Sequence, residues 1–166
     1  MFGLTSLGVV HTAISLVAVV AGLIALVRDK RISPDTRLGR IYLWTTVLTC
    51  LTGFGIFQHG GFGKPHALGI ITLLVLGVAE LARRGSLFGR WSANVVMVGY
   101  SLTFLFHLIP GITETSTRLP LGAPLLASAE APELQAASGL LFLLFLVGAF
   151  LQVRHFRAAT KKLAPA

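Results

Sequence analysis

Five histidines punctuate this chain of 166 residues, His11, His59, His66, His107 and His155. Imidazole is the commonest biological metal ligand and the usual axial ligand of haem, and it binds in its neutral form. Around four of them, polar and small residues recur at helical intervals. His11, Ser15, Ala18 and Gly22 form one such set, and Thr45, Thr49 and Thr52 lead to His59 in a second. Tyr100, Thr103 and His107 form a third, and His66, Leu73, Gly77 and Glu80 a fourth. Spacings of three and four place each set on one face of a helix.

Several chemistries are open to such stripes if they face one another. Two histidines from facing helices suffice for a six-coordinate haem b. Three or four, with Glu114 as a further candidate ligand, suit zinc, copper or iron. A third option is a quinone pocket in which histidine and Tyr100 hydrogen-bond carbonyl oxygens. The candidate cofactor ligands are therefore His11, His107, His66, His59 and Tyr100, and the candidate metal ligands His11, His59, His66, His107 and Glu114. His59 and His66 flank a GGFGKP turn, where a plain interfacial role is the alternative. No Ser/His/Asp arrangement, phosphate loop or carboxylate pair points to a hydrolase or phosphoryl-transfer enzyme.

The elements that must position these residues follow from composition. Hydrophobic residues make up 54% of the chain and charged ones 12%, and the mean hydropathy is +0.81. A soluble domain carries roughly 25% charged residues. The surrounding medium is therefore expected to be a bilayer. Apolar runs near 4–27, 41–57, 66–82, 93–109 and 136–153 approach the length needed to cross a ~30 Å hydrocarbon core as helices. They are continuously apolar, so they do not read as barrel strands, which alternate. The start MFGLTSLGVV lacks the basic region of a cleavable signal peptide, and the first run reads as a retained membrane helix.

Charge supplies a direction. Of the 14 Lys and Arg, 12 fall in 28–40, 83–91 and the tail 154–166, and only Lys64 and Arg118 lie in the alternate segments. By the positive-inside rule the N-terminus is outside and the C-terminus cytoplasmic. The net charge of +8 then faces anionic lipid and does not mark a nucleic-acid binder. The sequence predicts an all-α integral membrane bundle of five transmembrane helices, a four-helix core plus one peripheral helix. A long outer loop over 110–135 is expected to contain a short interfacial helix near 119–126.

In this frame His11, His59, His66 and His107 all lie toward the outer face, where their side chains can converge. Polar groups in hydrocarbon face the bundle interior, so the four stripes are expected to point inward. Glu80 is placed to pair with Arg83 and Arg84. Tyr42, Trp44 and Trp91 read as an interfacial aromatic belt at the inner ends of their helices. The lone cysteine, Cys50, reads as packing. The fifth run has no polar stripe, and offers itself as a docking face for a larger membrane complex. A small transporter needs a polar path through both leaflets, which the inner halves of the stripes do not suggest.

A resemblance attaches to particular motifs. Leu38, Gly39, Arg40, Ile41 and Tyr42 open one helix, His66, Leu68, Thr72 and Leu73 open the next, Ala82 to Gly85 form an ARRG turn, and Tyr100, Pro110 and Gly111 follow. Over about 9–111 the chain resembles a family of bacterial predicted membrane proteins known as a domain of unknown function. Where that pattern often has histidine before LGR and an H-R-x-x-M connection, this chain has Thr36 with Arg37, and Phe88 to Arg90 with Met97. The layout is more loosely similar to cytochrome b561-type four-helix proteins, which hold haems near both faces. The resemblance implies a bacterial inner-membrane protein, gives weight to His66, and brings no reaction. The expected function is an outward-facing pocket binding haem b or a metal ion for redox or metal handling.

Overall fold

The computed structural model describes residues 5–57, 61–85 and 87–163. They form five α-helices, α1 (Ser6–Asp29), α2 (Arg37–Gly53), α3 (Lys64–Arg84), α4 (Ser92–Arg118, entered through a 3-10 turn at Gly89–Trp91) and α5 (Pro132–Leu163), with no strand among the described residues. Among these residues, α1, α3, α4 with its leading turn, and α5 are long and apolar enough to cross a membrane. The 17 residues of α2 amount to about 25 Å of helix.

Local chemistry sets the boundaries. Thr5 and Thr36 cap α1 and α2, their hydroxyl oxygens accepting the Gly8 and Gly39 amides at 3.1 Å each. The Thr36 cap starts α2 four residues before the apolar run, and its last turn unwinds after Gly53, so the helix covers 37–53 in place of 41–57. In α3, His66 Nδ1 accepts the Gly63 amide at 3.2 Å across the first turn. Helix α4 does not stop near 109. It continues through Pro110 to Arg118, as membrane-type helices tolerate proline better than soluble ones. The connection expected over 110–135 therefore shrinks to 119–131, and it holds turns where an interfacial helix was expected near 119–126. Helix α5 begins at Pro132 and runs well past 153.

Packing is arranged with small residues inside and large apolar ones outside. On α1 the buried positions are Gly8, Ala18, Ala21, Gly22 and Ala25, whereas Leu16, Val17, Val20, Leu23 and Val27 are exposed. Small residues let backbones approach without a water-driven core. A Cβ at Gly22 would sit 2.7 Å from a Phe104 ring carbon and 2.9 Å from one of Tyr42. The missing side chain is what admits both rings. Helix α1 packs on α2 and α3 on α4, with α2 against α3 and α1 against α4 closing a four-helix ring, and α5 lies on α4.

One end of the bundle gathers the basic residues. Arg83 reaches Asp35 in the α1–α2 turn at 3.3 Å, Arg157 lies over the Trp91 ring at 4.7 Å, and Arg31 over Phe156 at 5.6 Å. Gln152 of α5 ties this end together, accepting from Ser101 and donating to the Lys30 carbonyl, both at 2.9 Å. Trp44 and Trp91 are largely exposed here, as a belt requires, but Tyr42 is fully buried. The belt reading of Tyr42 is corrected: the gap at Gly22 draws its ring into the bundle.

Candidate functional site

The opposite end carries His11, His66 and His107. On α1, His11 and Ser15 lie one turn apart. On α4, Tyr100, Thr103 and His107 are all buried. These two stripes do face inward, as does the face of α2 that carries Tyr42, Thr46 and Thr49.

His107 is gripped on both sides of its ring. Its Nδ1 lies 3.3 Å from Ser15 Oγ and its Nε2 3.0 Å from Thr46 Oγ1. The edge of the Tyr42 ring packs on it, centroids 6.0 Å apart. The Tyr42 hydroxyl, one turn of α2 before Thr46, lies 2.8 Å from Thr103 Oγ1. Thr103 donates to the Tyr100 carbonyl at 2.9 Å.

That terminal carbonyl can only accept. The Thr103 proton is committed to it, so Tyr42 donates to Thr103. His107 and Thr46 form a second pair beside it, with the edge of the Tyr42 ring on the imidazole. The two pairs lie along roughly 10 Å of the bundle.

A second polar segment starts on the same residue. The Tyr100 hydroxyl donates to Glu80 Oε1 at 2.8 Å. Glu80 pairs with Arg83 at 2.9 Å and with Arg84 at 3.5 Å, the ion pairs expected from their spacing. Arg83 extends the segment to Asp35. The two segments meet at Tyr100, through its carbonyl and its phenol. The half of the bundle toward the basic end therefore holds the Tyr42 and Tyr100 hydroxyls beside Glu80, more polar groups than the stripes alone suggested.

His11 caps the other end. Its Nδ1 lies 3.1 Å from Thr52 Oγ1, and Thr52 already donates to the Leu48 and Thr49 carbonyls at 2.8 and 3.1 Å. The imidazole is therefore the donor, and its Nε2 keeps a lone pair. The sequence reading missed Thr46. It followed Thr45, Thr49 and Thr52, but Thr45 spends its hydroxyl on the Ile41 carbonyl at 2.7 Å.

Nothing in known proteins guides the assignment. No family model, curated protein or solved structure matches this chain.

Of the other candidates, His66 and Glu114 do not join His11 and His107. His66 lies at the start of α3, its ring between Phe57 and Phe62 with centroids at 5.0 and 5.3 Å. Glu114 is ion-paired with Arg118 one turn along α4. His59 lies outside the described residues. Among the described residues no three His, Cys, Asp or Glu side chains converge as a metal-binding group. As a haem pair, His11 and His107 fit poorly, because both His107 nitrogens are engaged by hydroxyls.

The grip on His107 is testable by stability. Thr46→Val keeps the volume and removes the hydroxyl, which leaves His107 Nε2 buried without a partner. It is expected to cost about 1–3 kcal/mol, read as a lowered thermal unfolding midpoint in detergent. Ser15→Ala, which loses the longer contact, is expected to cost less.

Proposed function

We infer that this chain is an integral membrane protein whose four-helix interior relays protons between the two membrane faces. The observation that carries the reading is the line of polar side chains from the His107–Thr46 pair to the Tyr42–Thr103 pair, which meets the Tyr100–Glu80–Arg83–Asp35 segment at Tyr100. Ionisable side chains inside a membrane bundle are costly, and they commonly mark ion or proton pathways. Hydroxyls between a histidine and a carboxylate supply donors and acceptors in series. His11 and His107 serve as proton-accepting groups at one mouth, and the Glu80 carboxylate, held in place by Arg83, serves at the other. The steps without a direct hydrogen bond lie between Thr46 and Tyr42 and between Thr103 and the Tyr100 phenol, so movements of Tyr42 and Tyr100 gate the relay.

The division of Lys and Arg, 12 against 2, supports five membrane spans with the N-terminus outside and the histidine mouth outward. We place the chain in a bacterial inner membrane, akin to the uncharacterised family it resembles. The haem or metal reading is not carried forward, because both His107 nitrogens face hydroxyls and, among the described residues, no third ligand joins it.

The test is proton flux into vesicles that contain the purified protein and an internal pH dye, driven by a potassium diffusion potential. Acidification faster than in protein-free vesicles is expected, with His107→Phe reducing it to the protein-free rate. A wild-type rate equal to empty vesicles, or an undiminished rate for the variant, would end the proposal. A haem absorption band or a stoichiometric metal in the same preparation would replace it with a redox or metal site.

A further inference from the structure

At the basic end, α5 leans on α4 and leaves a groove beside the end of α1. The groove has a volume of about 690 Å³ and is lined by Leu26, Gly148, Leu151 and Ala158, with Lys30, Arg154 and His155 at its rim and Gln152 across it. Gln152 fixes its width by bridging Ser101 and the Lys30 carbonyl. An apolar trough that ends in cations is a two-part recognition surface, one part for hydrocarbon and one for negative charge.

The charges at the rim are available. Lys30 caps its own helix through the Val27 carbonyl at 2.7 Å, which uses one of three donors. Arg154 and His155 make no hydrogen bond or ion pair among the described residues. The nearby acids are committed elsewhere, Asp29 to Arg28 at 2.8 Å and Asp35 to Arg83 at 3.3 Å. The rim therefore carries positive charge with no carboxylate to neutralise it.

We propose that this groove is a binding site for an anionic glycerophospholipid, its phosphate held by Arg154 and Lys30 with His155 alongside, and an acyl chain laid along Leu26, Gly148 and Leu151. Charge complementarity selects this occupant over a neutral lipid, and the apolar trough selects it over free phosphate. Basic clusters at the cytoplasmic surface attract anionic lipid in general. The groove adds a fixed geometry to that attraction. The site rests on the membrane reading and does not depend on the proton relay, so His107→Phe is expected to leave it intact.

The experiment is native mass spectrometry of the full chain in neutral detergent, with equimolar phosphatidylglycerol and phosphatidylcholine. Retention of phosphatidylglycerol is expected. Lys30→Ala combined with Arg154→Ala is expected to weaken it by about 30-fold, the loss of two cations at an anionic headgroup. Helical circular dichroism and the unfolding midpoint of that variant should match the wild type. Arg37→Ala with Arg40→Ala removes equal charge away from the groove and is expected to leave the preference unchanged. Equal retention of both lipids, equal loss in both double variants, displacement by inorganic phosphate, or a second copy of the chain in place of lipid would each overturn the proposal. Protein that stays soluble after detergent removal would instead refute the membrane reading itself.

Discussion

Replacing Gly39 with alanine is expected to destabilise the bundle by about 3–5 kcal/mol, the range of the most damaging single substitutions. The new Cβ would lie 1.7 Å from the Ser33 carbonyl oxygen and 2.3 Å from its carbon. Backbone, not a flexible side chain, occupies the space. The Ser33 carbonyl cannot withdraw cheaply, since it accepts from the Thr36 amide at 3.1 Å and from the Thr36 hydroxyl at 2.9 Å. Moving it dismantles the cap of α2. Thermal unfolding in detergent, followed by circular dichroism, measures the loss. Gly77→Ala is the control, because nothing lies within 4 Å of a Cβ there. Its better helix propensity should leave stability unchanged or raise it by about 1 kcal/mol. A Gly39→Ala protein that unfolds at the wild-type midpoint would refute the close approach of the α1–α2 turn to α2.

Tyr42 separates packing from relay. Truncation to alanine removes a fully buried ring that lies against Tyr100, Phe104 and His107. The expected cost is about 3–5 kcal/mol, as for other large aromatic deletions. Tyr42→Phe keeps the ring and removes only the hydroxyl bonded to Thr103, at about 1 kcal/mol. In vesicles the second variant is the decisive one. It should fold and reconstitute, yet conduct protons no faster than protein-free vesicles, because the donor–acceptor series is cut in its middle. Wild-type flux through Tyr42→Phe would show that protons do not pass along these hydroxyls.

Much of the architecture was legible from hydrophobic runs, because a helix in hydrocarbon must be long and continuously apolar. The boundaries were not. Pro110 looked like a stop, but it lies inside α4, whereas Thr36, a cap fixed by one hydroxyl, set the start of α2. Spacing alone revealed the faces of α1 and α4, where Ser15, Ala18, Gly22, Thr103 and His107 all turn inward. On α2 it failed, since Thr45 and Thr46 are adjacent and nothing local says which of two threonines looks at a neighbour 61 residues away. Tyr42 was misread for a related reason. An aromatic near a helix end suits an interface equally well, and only the cleft at Gly22 on another helix draws it inside. Glu80 illustrates the limit from the other side. Its pairing with Arg83 follows from spacing of three on one helix, while its bond to Tyr100 is a fact of assembly between two.

The shortness of α2 bears on the thickness of the membrane this chain would tolerate. At 17 residues it falls several ångströms short of a ~30 Å hydrocarbon layer. Hydrophobic mismatch of this sign is met by local thinning of the bilayer. The deficit lies at the end where Thr52 and Gly53 adjoin His11, whose ring carbon would lie 3.2 Å from a Cβ on Gly53. If α2 spans as proposed, headgroups and water would be drawn down there, and the mouth of the proposed relay would open into a dimple in the lipid surface. Proton flux should therefore be greater in bilayers of short-chain lipids than in those of long-chain lipids. In that sense the lipid around α2 is one wall of the entrance.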